Sequence, residues 1–415
     1  MNIIVIGGYD TNFSVGFVKG LKANGLELCV VSGDESASRL TAAGIENLNL
    51  RGSPDRNRPF WIKLGNLLRY YVRLLVLLLR HRRATVHFAG IFRNEFILWE
   101  GLVLNLCFRL LASRYIYTVH NVLPHGRERS RFFHWIYRRV YRLPDILLVH
   151  TRPARQQLID EFGVADGRIR LTSIGLNEEM PVTNLSRTEA RCRLGFREDE
   201  QLLLFFGKID GYKGLDLLLD AFELLSFPRT RLIIAGEYRN PDFRTRIQGQ
   251  LERMSRFADV RLHERFIAND EAEVFFKACD VLCLPYRHIY QSGIAFLGPR
   301  FGIPMVTTDV GSLREFVGDG LGIVAASNDA AGIAEALEKF LAAPDRVSSA
   351  GILQRVQKYR WDVVCRELIP LYASGSSGTA TAGIALSGDA SAGQPAESPL
   401  TPRENSLPKL GSQCW

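Results

Sequence analysis

Two lysines stand between a predicted strand and a predicted helix near the middle of the chain. The buried-strand pattern at 202–206 runs into Gly207 and Lys208, and Lys213 precedes a helix pattern at 215–225. Ammonium groups at the carboxyl edge of a parallel sheet, with the free amides of a helix start, suit a diphosphate. An isolated Gly-Lys pair is also common in solvated loops that bind nothing, and we expect this segment to be a surface loop.

A second candidate for an anion site follows the predicted strand 281–284. That strand runs on to Tyr286, and Ser292 and Gly293 then begin a helix pattern over 293–301. Unpaired amides at a helix N-terminus, a serine hydroxyl and a glycine that permits close approach suit an anion. Serine is also an ordinary helix N-cap that needs no ligand, so this signal is weak alone.

Histidines near predicted strand ends are candidates for proton transfer. His120 and His125 follow the strand pattern 115–119, and His87 lies in the strand pattern 85–88. An imidazole titrates near neutral pH, so it can accept the proton of an attacking hydroxyl or hydrogen-bond a sugar. A lone histidine is more often structural. His87 ranks below His120, since the register of its strand is open by two residues.

The elements that must position these residues alternate along the chain. Strand patterns at 2–6, 28–31, 85–88, 115–119 and 146–149 alternate with helices at 15–23, 61–79, 95–111 and 131–141; later strands at 202–206, 231–235, 260–262, 281–284 and 304–307 alternate with helices at 215–225, 244–257, 271–277 and 293–301. Such alternation predicts parallel sheets covered by helices. The 415 residues suffice for two Rossmann-like α/β domains and a tail.

Composition bounds the setting of the protein. No secretory signal pattern opens the chain, and its seven cysteines have no repeating spacing, so we expect folding in reducing cytosol. Cys279 and Cys283 lie in an apolar run without a second ligand pair, which favours core cysteines over a metal site. No apolar stretch approaches the roughly 20 residues that a membrane span needs.

Basic and aromatic residues interleave in two predicted helices of the first half. In one helix region, arginines interleave with aromatic residues: Arg127, Arg129, Arg131, Arg138, Arg139 and Arg142 with Phe132, Phe133, Trp135, Tyr137 and Tyr141. In the other, arginines flank the apolar run Leu74–Leu79: Arg69, Arg73, Arg80, Arg82 and Arg83. This composition is typical of a surface that seeks anionic lipid. The alternatives are core aromatics beneath a solvated basic face, and nucleic-acid binding.

The order and separation of the lysine and serine segments resemble the donor-binding domain of GT-B glycosyltransferases, especially family 4 and its bacterial exopolysaccharide relatives. The resemblance covers roughly residues 1–372. Lys208 and Lys213 match the two cations of a Gly-Arg-x5-Lys-Gly element that binds the donor diphosphate, and residues 311–317 and 361–362 add weaker matches. It implies that the second domain binds a nucleotide sugar, that the first binds the acceptor, and that a C-terminal helix crosses back to the first domain.

The match has one clear departure and several implied roles. Many relatives carry two glutamates eight apart, where this chain has Ile289 and Leu297, which leaves the usual carboxylate grip on the donor in doubt. The element 120–125 resembles the His-Asn-x-x-Pro-His element of exopolysaccharide enzymes. The loop around 264–267 would meet the nucleobase. Gly7 and Gly8 would line the cleft, although a plain strand-to-helix turn is equally consistent with them.

These expectations define a predicted organisation and function. The predicted domains are 1–178 for the acceptor, 179–355 for the donor, 356–373 for the crossover helix and 374–415 for a disordered tail, with a polar linker at 177–194. The predicted donor site is Gly207, Lys208, Lys213, Ser292, Gly293 and Glu315, the predicted cleft is Gly7, Gly8, His87 and His125, and His120 is the predicted catalytic residue.

The resemblance implies transfer from a UDP- or GDP-sugar to a glycan acceptor. Because two lysines and a helix dipole would carry the leaving charge, we expect no metal or other cofactor. From the basic and aromatic helices we expect the first domain to dock on the inner leaflet of the membrane, where an acceptor glycan carried on a polyprenyl diphosphate would reach the cleft, in exopolysaccharide or cell-surface glycan synthesis. Binding of a nucleotide sugar without catalysis, and a basic nucleic-acid-binding protein, are the alternatives.

Overall fold

The computed structural model describes residues 2–7, 11–52, 59–90, 92–124, 126–178, 180–255, 260–289, 292–344 and 347–373. Gly8, His125 and the predicted disordered tail lie outside the described residues.

The first sheet is parallel and seven-stranded within the described residues, in the order β3-β2-β1-β4-β5-β6-β7. Its strands are β1 (Ile3–Gly7), β2 (Cys29–Ser32), β3 (Asn47–Asn49), β4 (Thr85–Ala89), β5 (Arg114–Val119), β6 (Ile146–Val149) and β7 (Ile169–Leu171). Its helices are α1 (Thr11–Ala23), α2 (Asp34–Ala42), α3 (Phe60–Arg80), α4 (Asn105–Leu111), α5 (Arg131–Val140) and α6 (Arg152–Asp160), with a π-helix at Trp99–Leu104.

The second sheet is also parallel, with six strands in the order β10-β9-β8-β11-β12-β13 among the described residues. Its elements are α7 (Arg187–Leu194), β8 (Gln201–Phe206), α8 (Leu215–Glu223), β9 (Thr230–Gly236), α9 (Pro241–Ser255), β10 (Val260–Glu264), α10 (Asn269–Ala278), β11 (Val281–Leu284), β12 (Met305–Thr307), α11 (Leu313–Gly318), β13 (Gly322–Val324) and α12 (Ala330–Ala342). The chain then continues through α13 (Ser349–Arg355), α14 (Trp361–Arg366) and α15 (Ile369–Tyr372).

The central strands of each sheet, such as β1, β4, β8 and β11, are buried on both faces, which explains why their sequences read as apolar runs. In β1, Ile4 and Ile6 contribute to one hydrophobic core while Ile3 and Val5 contribute to another. Helices therefore cover both sides of the sheet, as the period of two along a strand requires. The prediction of two Rossmann-like α/β units is confirmed.

Each sheet reverses its strand order at one point. In the first sheet the chain builds outward from β1 to β3 and then returns to place β4 beside β1; in the second, β11 lies beside β8 after β9 and β10. In open α/β sheets, ligands bind outside the carboxyl ends of the strands at such a reversal. Gly7 is the last residue of β1, and Gly207 directly follows β8. Each glycine therefore stands at the reversal point of its sheet.

The C-terminal helices return to the first sheet, as expected for the crossover. The Trp361 indole covers α1 so closely that a side-chain carbon at Gly16 would lie 2.0 Å from its Nε1, and one at Gly175 would lie 2.2 Å from its Cδ2. The backbone amide of Leu176 donates to the Tyr359 carbonyl at 2.8 Å, which pairs the two connecting segments. Positions 16 and 175 tolerate only glycine, because the Trp361 indole occupies the space that a side chain would need.

Two predicted segments differ from the structure. The range expected to be a polar linker contains α7, which begins with a capping box in which Ser186 and Glu189 satisfy each other's backbone amides. The range 293–301 is a series of turns followed by a 3-10 helix at Gly298–Phe301, and not the α-helix that was predicted.

Candidate functional site

The loop after β8 holds Lys213 in a fixed conformation. A 3-10 turn at Gly211–Lys213 is capped by Asp210, whose side chain accepts from the Gly211 amide at 2.7 Å. Gly214 has a φ of 68°, and a side-chain carbon there would lie 2.0 Å from the Pro285 carbonyl oxygen. Glycine is therefore required at 214, and it lets the loop pass directly over the end of β11.

Lys213 is buried, which corrects the expectation of a surface loop. Its side chain is 7% exposed, and its Nζ lies 3.3 Å from the point that a Cβ at Gly207 would occupy. Gly207 itself has a φ of 95°, a conformation that favours glycine. The lysine therefore turns back across the end of β8, through the space that the missing side chain leaves.

The environment of Lys213 disfavours its charge. Burial lowers the pKa of Lys213 from 10.5 to about 8, Asp210 opposes this shift and Lys208 adds to it. Within the described part of the chain, its ammonium makes no hydrogen bond or ion pair. A buried cation that makes no ion pair is costly, so an anionic ligand that reaches it gains strong binding energy. Lys208 is exposed at the same edge.

Ser292 lies beside the second loop of the site, after β11. It is 5% exposed, and its Oγ lies 3.0 Å from the Tyr286 hydroxyl. The amide of Ala295 donates to the Ser292 carbonyl at 3.1 Å in a turn, so Ser292 and Gly293 do not start an α-helix. The prediction that a helix dipole at Gly293 binds the anion is therefore wrong. The group of this loop that can bind an anion is the Ser292 hydroxyl.

The two loops are joined by direct contacts. Arg287 donates through its guanidinium to Asp216 at 2.6 Å and through its amide to the Tyr212 carbonyl at 2.8 Å. The Cβ point at Gly207 lies 3.3 Å from both Lys213 Nζ and the Cδ1 of Ile294, the residue after Gly293. The structure thus brings the lysine segment and the serine segment together, far apart as they are in sequence.

Two apolar residues occupy the positions where many relatives carry acids. Leu297 is buried in the core of the second domain, and Ile289 packs against that core. Neither position can supply a carboxylate to a ligand.

His120 lies at the carboxyl end of β5, next to the strand reversal of the first sheet. Its Nε2 is 3.0 Å from the Ala89 carbonyl oxygen, so Nε2 carries the proton of a neutral ring and Nδ1 is an acceptor. The Phe13 ring meets it edge-on at 4.6 Å between centroids. His120 is half-buried, so its position suits a proton acceptor at the sheet edge.

His87 is a structural residue, which differs from its predicted place in the cleft. It is fully buried, its Nδ1 lies 2.6 Å from the Tyr372 hydroxyl and its Nε2 lies 2.8 Å from Thr118 Oγ1. Burial, followed by the neighbouring His120 and His150, lowers the pKa of His87 to about 3. Its side chain points from mid-strand into the core, where it connects β4 to the C-terminal α15.

Glu315 joins the two halves of the chain. It lies on α11, and its Oε1 is 3.5 Å from Nε of Arg152, the first residue of α6. Both side chains are more than half exposed, so the pair contributes little to stability. Sequence reasoning missed Arg152, because an arginine at a helix start after a strand carries no distinctive signal.

Two family descriptions match almost all of the described chain. Glycosyltransferase Family 4 matches residues 12–179, and Glycosyl transferases group 1 matches residues 186–352. The two matches meet between the first and second sheets.

Solved structures of low sequence identity share the fold. Anabaena HepE in complex with UDP-glucose has a TM-score of 0.68 at 14% identity, covering 89% of this chain and 99% of that one. Sucrose-phosphate synthase from Thermosynechococcus elongatus has a TM-score of 0.67 at 18% identity, covering 90% and 98%. Two parallel-sheet domains with a returning C-terminal helix define the GT-B architecture.

Among curated proteins, D-inositol 3-phosphate glycosyltransferase of Streptosporangium roseum is 27% identical over 262 residues, 60% of this chain and 59% of that protein. The match thus spans a little over half the length of that relative. With both family descriptions and the fold in agreement, the chain belongs to the GT-B glycosyltransferases of the family 4 type.

Proposed function

We propose that the protein transfers a sugar from a nucleotide sugar to an acceptor hydroxyl, with the donor diphosphate held by Lys208, Lys213 and Ser292. The observation that carries this proposal is the buried ammonium of Lys213, which makes no hydrogen bond or ion pair in the described chain and stands at a strand reversal. A diphosphate supplies the missing negative charge at that position. A solvated loop lysine has no reason to be buried there.

The leaving group is the nucleoside diphosphate. As the acceptor oxygen bonds to the anomeric carbon, the bond from that carbon to the phosphate oxygen breaks, and negative charge develops on the diphosphate. Two lysines and a serine hydroxyl stabilise that charge without reorganising. We propose that these groups suffice without a divalent cation.

His120 is the proposed proton acceptor. It lies half-buried at the carboxyl end of β5, and an imidazole at that edge of the sheet suits the role of accepting the proton of the attacking hydroxyl. His120 follows β5, next to the strand reversal of the first sheet, and Lys213 stands at the strand reversal of the second, so the proposed acceptor and donor sites belong to different domains.

The donor is a UDP- or GDP-sugar, and the acceptor is a glycan, carried on a polyprenyl diphosphate for exopolysaccharide or cell-surface glycan synthesis. The structural relative HepE has been solved with UDP-glucose, and the curated relative named above is a D-inositol 3-phosphate glycosyltransferase. Residues 289 and 297 are apolar here, so the donor sugar and ribose are gripped by other groups than in relatives with two glutamates.

An exposed apolar surface of the first domain supports a lipid-linked acceptor. Apolar side chains face outward on α3, on the π-helix and α4, and on α5: Trp61, Ile62, Leu68, Val72, Leu75, Val76, Leu79, Trp99, Val103, Leu106, Leu110, Phe132 and Trp135. Trp61 is 76% exposed and Leu110 is 71% exposed. α3 packs beside α4, and α5 packs beside the π-helix, so these residues share one side of the domain.

Arginines surround this surface. Arg69, Arg73 and Arg80 are exposed on α3, and Arg138 and Arg139 on α5, where the Arg139 guanidinium lies 3.9 Å from the centroid of the Trp135 ring. Phe133, Tyr137 and Tyr141 are buried, so part of the aromatic pattern builds the core. The rest suits an anionic bilayer surface, and we place the protein peripherally on the inner face of the membrane. No helix in the described residues has the length and apolar character for crossing a bilayer.

A ligand panel tests the proposed function. Thermal unfolding with UDP-, GDP- and dTDP-sugars identifies the donor, since a ligand bound only by the folded state raises the unfolding temperature. Release of the nucleoside diphosphate is then followed with and without EDTA. Binding with release in EDTA supports a metal-independent transferase, binding without release supports a binding protein, and no binding by any sugar nucleotide contradicts the proposal.

A further inference from the structure

Tyr286 stands between the two elements of the proposed diphosphate site. It follows β11, it is buried, and its carbonyl oxygen accepts from the Thr308 hydroxyl at 2.6 Å, which anchors its backbone to the loop after β12. Burial raises the pKa of its phenol, so the hydroxyl keeps its proton at every working pH. The side chain is therefore a fixed, neutral hydrogen-bonding group with an aromatic face.

The aromatic face of Tyr286 meets the cation. Lys213 Nζ lies 5.9 Å from the ring centroid, within the range in which an ammonium is attracted by the ring quadrupole. Since this ammonium has no ion pair in the described chain, the ring is a partner that retains it without neutralising it. Asp210 and Lys208 are the charged groups that act on Lys213, with opposite effects.

The hydroxyl of Tyr286 meets Ser292. The two oxygens are 3.0 Å apart, and within the described residues each is the other's side-chain partner. Two hydroxyl groups carry two protons, and the bond between them uses one. When Tyr286 donates, the Ser292 proton is left for a further acceptor, so the pair has one donor for an incoming phosphate oxygen.

We propose that Tyr286 is a positioning residue. Its ring holds the Lys213 ammonium and its hydroxyl holds the Ser292 hydroxyl, so that the ammonium and the serine hydroxyl both contact one phosphate of a nucleoside diphosphate. This inference rests on the proposed function and assigns the side chain that organises its leaving-group site. Tyr286 does not touch the reacting atoms. It acts through the two groups that it orients.

A double-mutant cycle tests the hydroxyl half of the proposal. Affinities for UDP and GDP are measured by calorimetry on wild type, Tyr286→Phe, Ser292→Ala and the double variant. We expect about a five- to tenfold loss for each single variant, and no further loss in the double variant, because the Tyr286 hydroxyl acts on the phosphate only through the Ser292 hydroxyl that it orients. Losses that multiply, or a Tyr286→Phe affinity equal to wild type, overturn this role.

The pH dependence tests the ring half. Tyr286→Phe keeps the aromatic face, so its affinity for UDP and GDP is expected to fall with rising pH at the same midpoint as in wild type. Tyr286→Leu removes that face, so the ammonium deprotonates more readily and affinity is lost at a lower pH. An identical pH midpoint for Tyr286→Leu and Tyr286→Phe overturns the ring contact.

Two controls separate this proposal from folding defects and from the function itself. Tyr238→Phe removes another buried hydroxyl of the same domain, one without a hydrogen-bond partner, and is expected to bind like wild type. Thermal unfolding of each variant measures any loss of structure. If wild type binds neither UDP nor GDP, the proposed function fails; if it binds them and Tyr286→Phe binds equally well, only the role of Tyr286 fails.

Discussion

Lys213 places its ammonium 3.3 Å from the point that a side chain at Gly207 would occupy. Gly207 connects β8 to the following loop with a φ of 95°, and the Lys213 side chain occupies the space that a side chain at 207 would fill. The strand reversal of the second sheet is thereby given a buried positive charge, and the adjoining serine loop is held against it.

Substitution of Gly207 disturbs this arrangement directly. Gly207→Ala is expected to reduce the free energy of unfolding by about 1–3 kcal/mol, because alanine rarely adopts a positive φ, and to weaken donor binding by displacing Lys213. Chemical denaturation and calorimetry measure the two effects. Gly249→Ala, in α9 with open space around its Cβ point, is the matched control and is expected to be neutral or stabilising. Equal behaviour of the two variants would refute the prediction.

The lowered pKa of Lys213 predicts two pH dependences. Since the folded protein releases this proton near pH 8 and the unfolded chain near 10.5, the unfolded state holds more protons between these values. The free energy of unfolding therefore gains from this group as pH rises from about 8 to 10.5. Nucleotide affinity falls over the same rise, because the ammonium is lost. We expect both pH dependences, of the free energy of unfolding and of nucleotide affinity, in wild type and in Lys208→Ala. We expect neither in Lys213→Met.

Glu315 provides a test of the predicted donor contact on α11. Its pairing with Arg152 is exposed, so Arg152→Ala is expected to change the free energy of unfolding by less than about 1 kcal/mol and to leave donor affinity unaltered. Glu315→Gln is expected to weaken the donor several-fold, since it removes a charged acceptor. Calorimetry on both variants separates the roles. Equal affinity losses would mean that the ion pair, and not a donor contact, is what matters.

The basic apolar surface of the first domain predicts membrane association. The protein is expected to co-sediment with vesicles of phosphatidylglycerol and to stay in the supernatant with phosphatidylcholine at the same low salt. The double variant Arg69→Gln and Arg73→Gln is expected to lose roughly tenfold or more in vesicle binding, because each basic residue near an anionic surface contributes about 1 kcal/mol. Arg193→Gln with Lys339→Gln removes two charges from the second domain and serves as the control. Equal losses in both double variants would contradict a specific surface.

The sequence was informative about periodicity and much less so about contacts. Continuous apolar runs identified strands such as β1, β8 and β11, because strands buried on both faces leave no other pattern. Short elements such as α2, β3 and α7 were missed, although the Ser186 and Glu189 capping box is a local signal that reveals α7.

The site was predicted in outline, and its physical character emerged only from the fold. Spacing placed two lysines after a strand, yet the burial of Lys213 depends on Gly207 and on a loop some eighty residues away. The helix expected over 293–301 was replaced by turns and a short 3-10 helix, because Pro299 disfavours the interior of an α-helix and restricts the residue before it. His87 occupies mid-strand, and its partner Tyr372 is distant in sequence, so its structural role had no local signature.

The most direct test of the account is donor binding by Lys213→Met, a variant that keeps the volume of the side chain and removes its charge. Calorimetry with UDP- and GDP-sugars is predicted to show binding to wild type and a loss of about a hundredfold in the variant, while its unfolding temperature does not fall, because an uncompensated buried charge has been removed. An unchanged affinity of the variant for every nucleotide sugar that binds wild type would contradict the account.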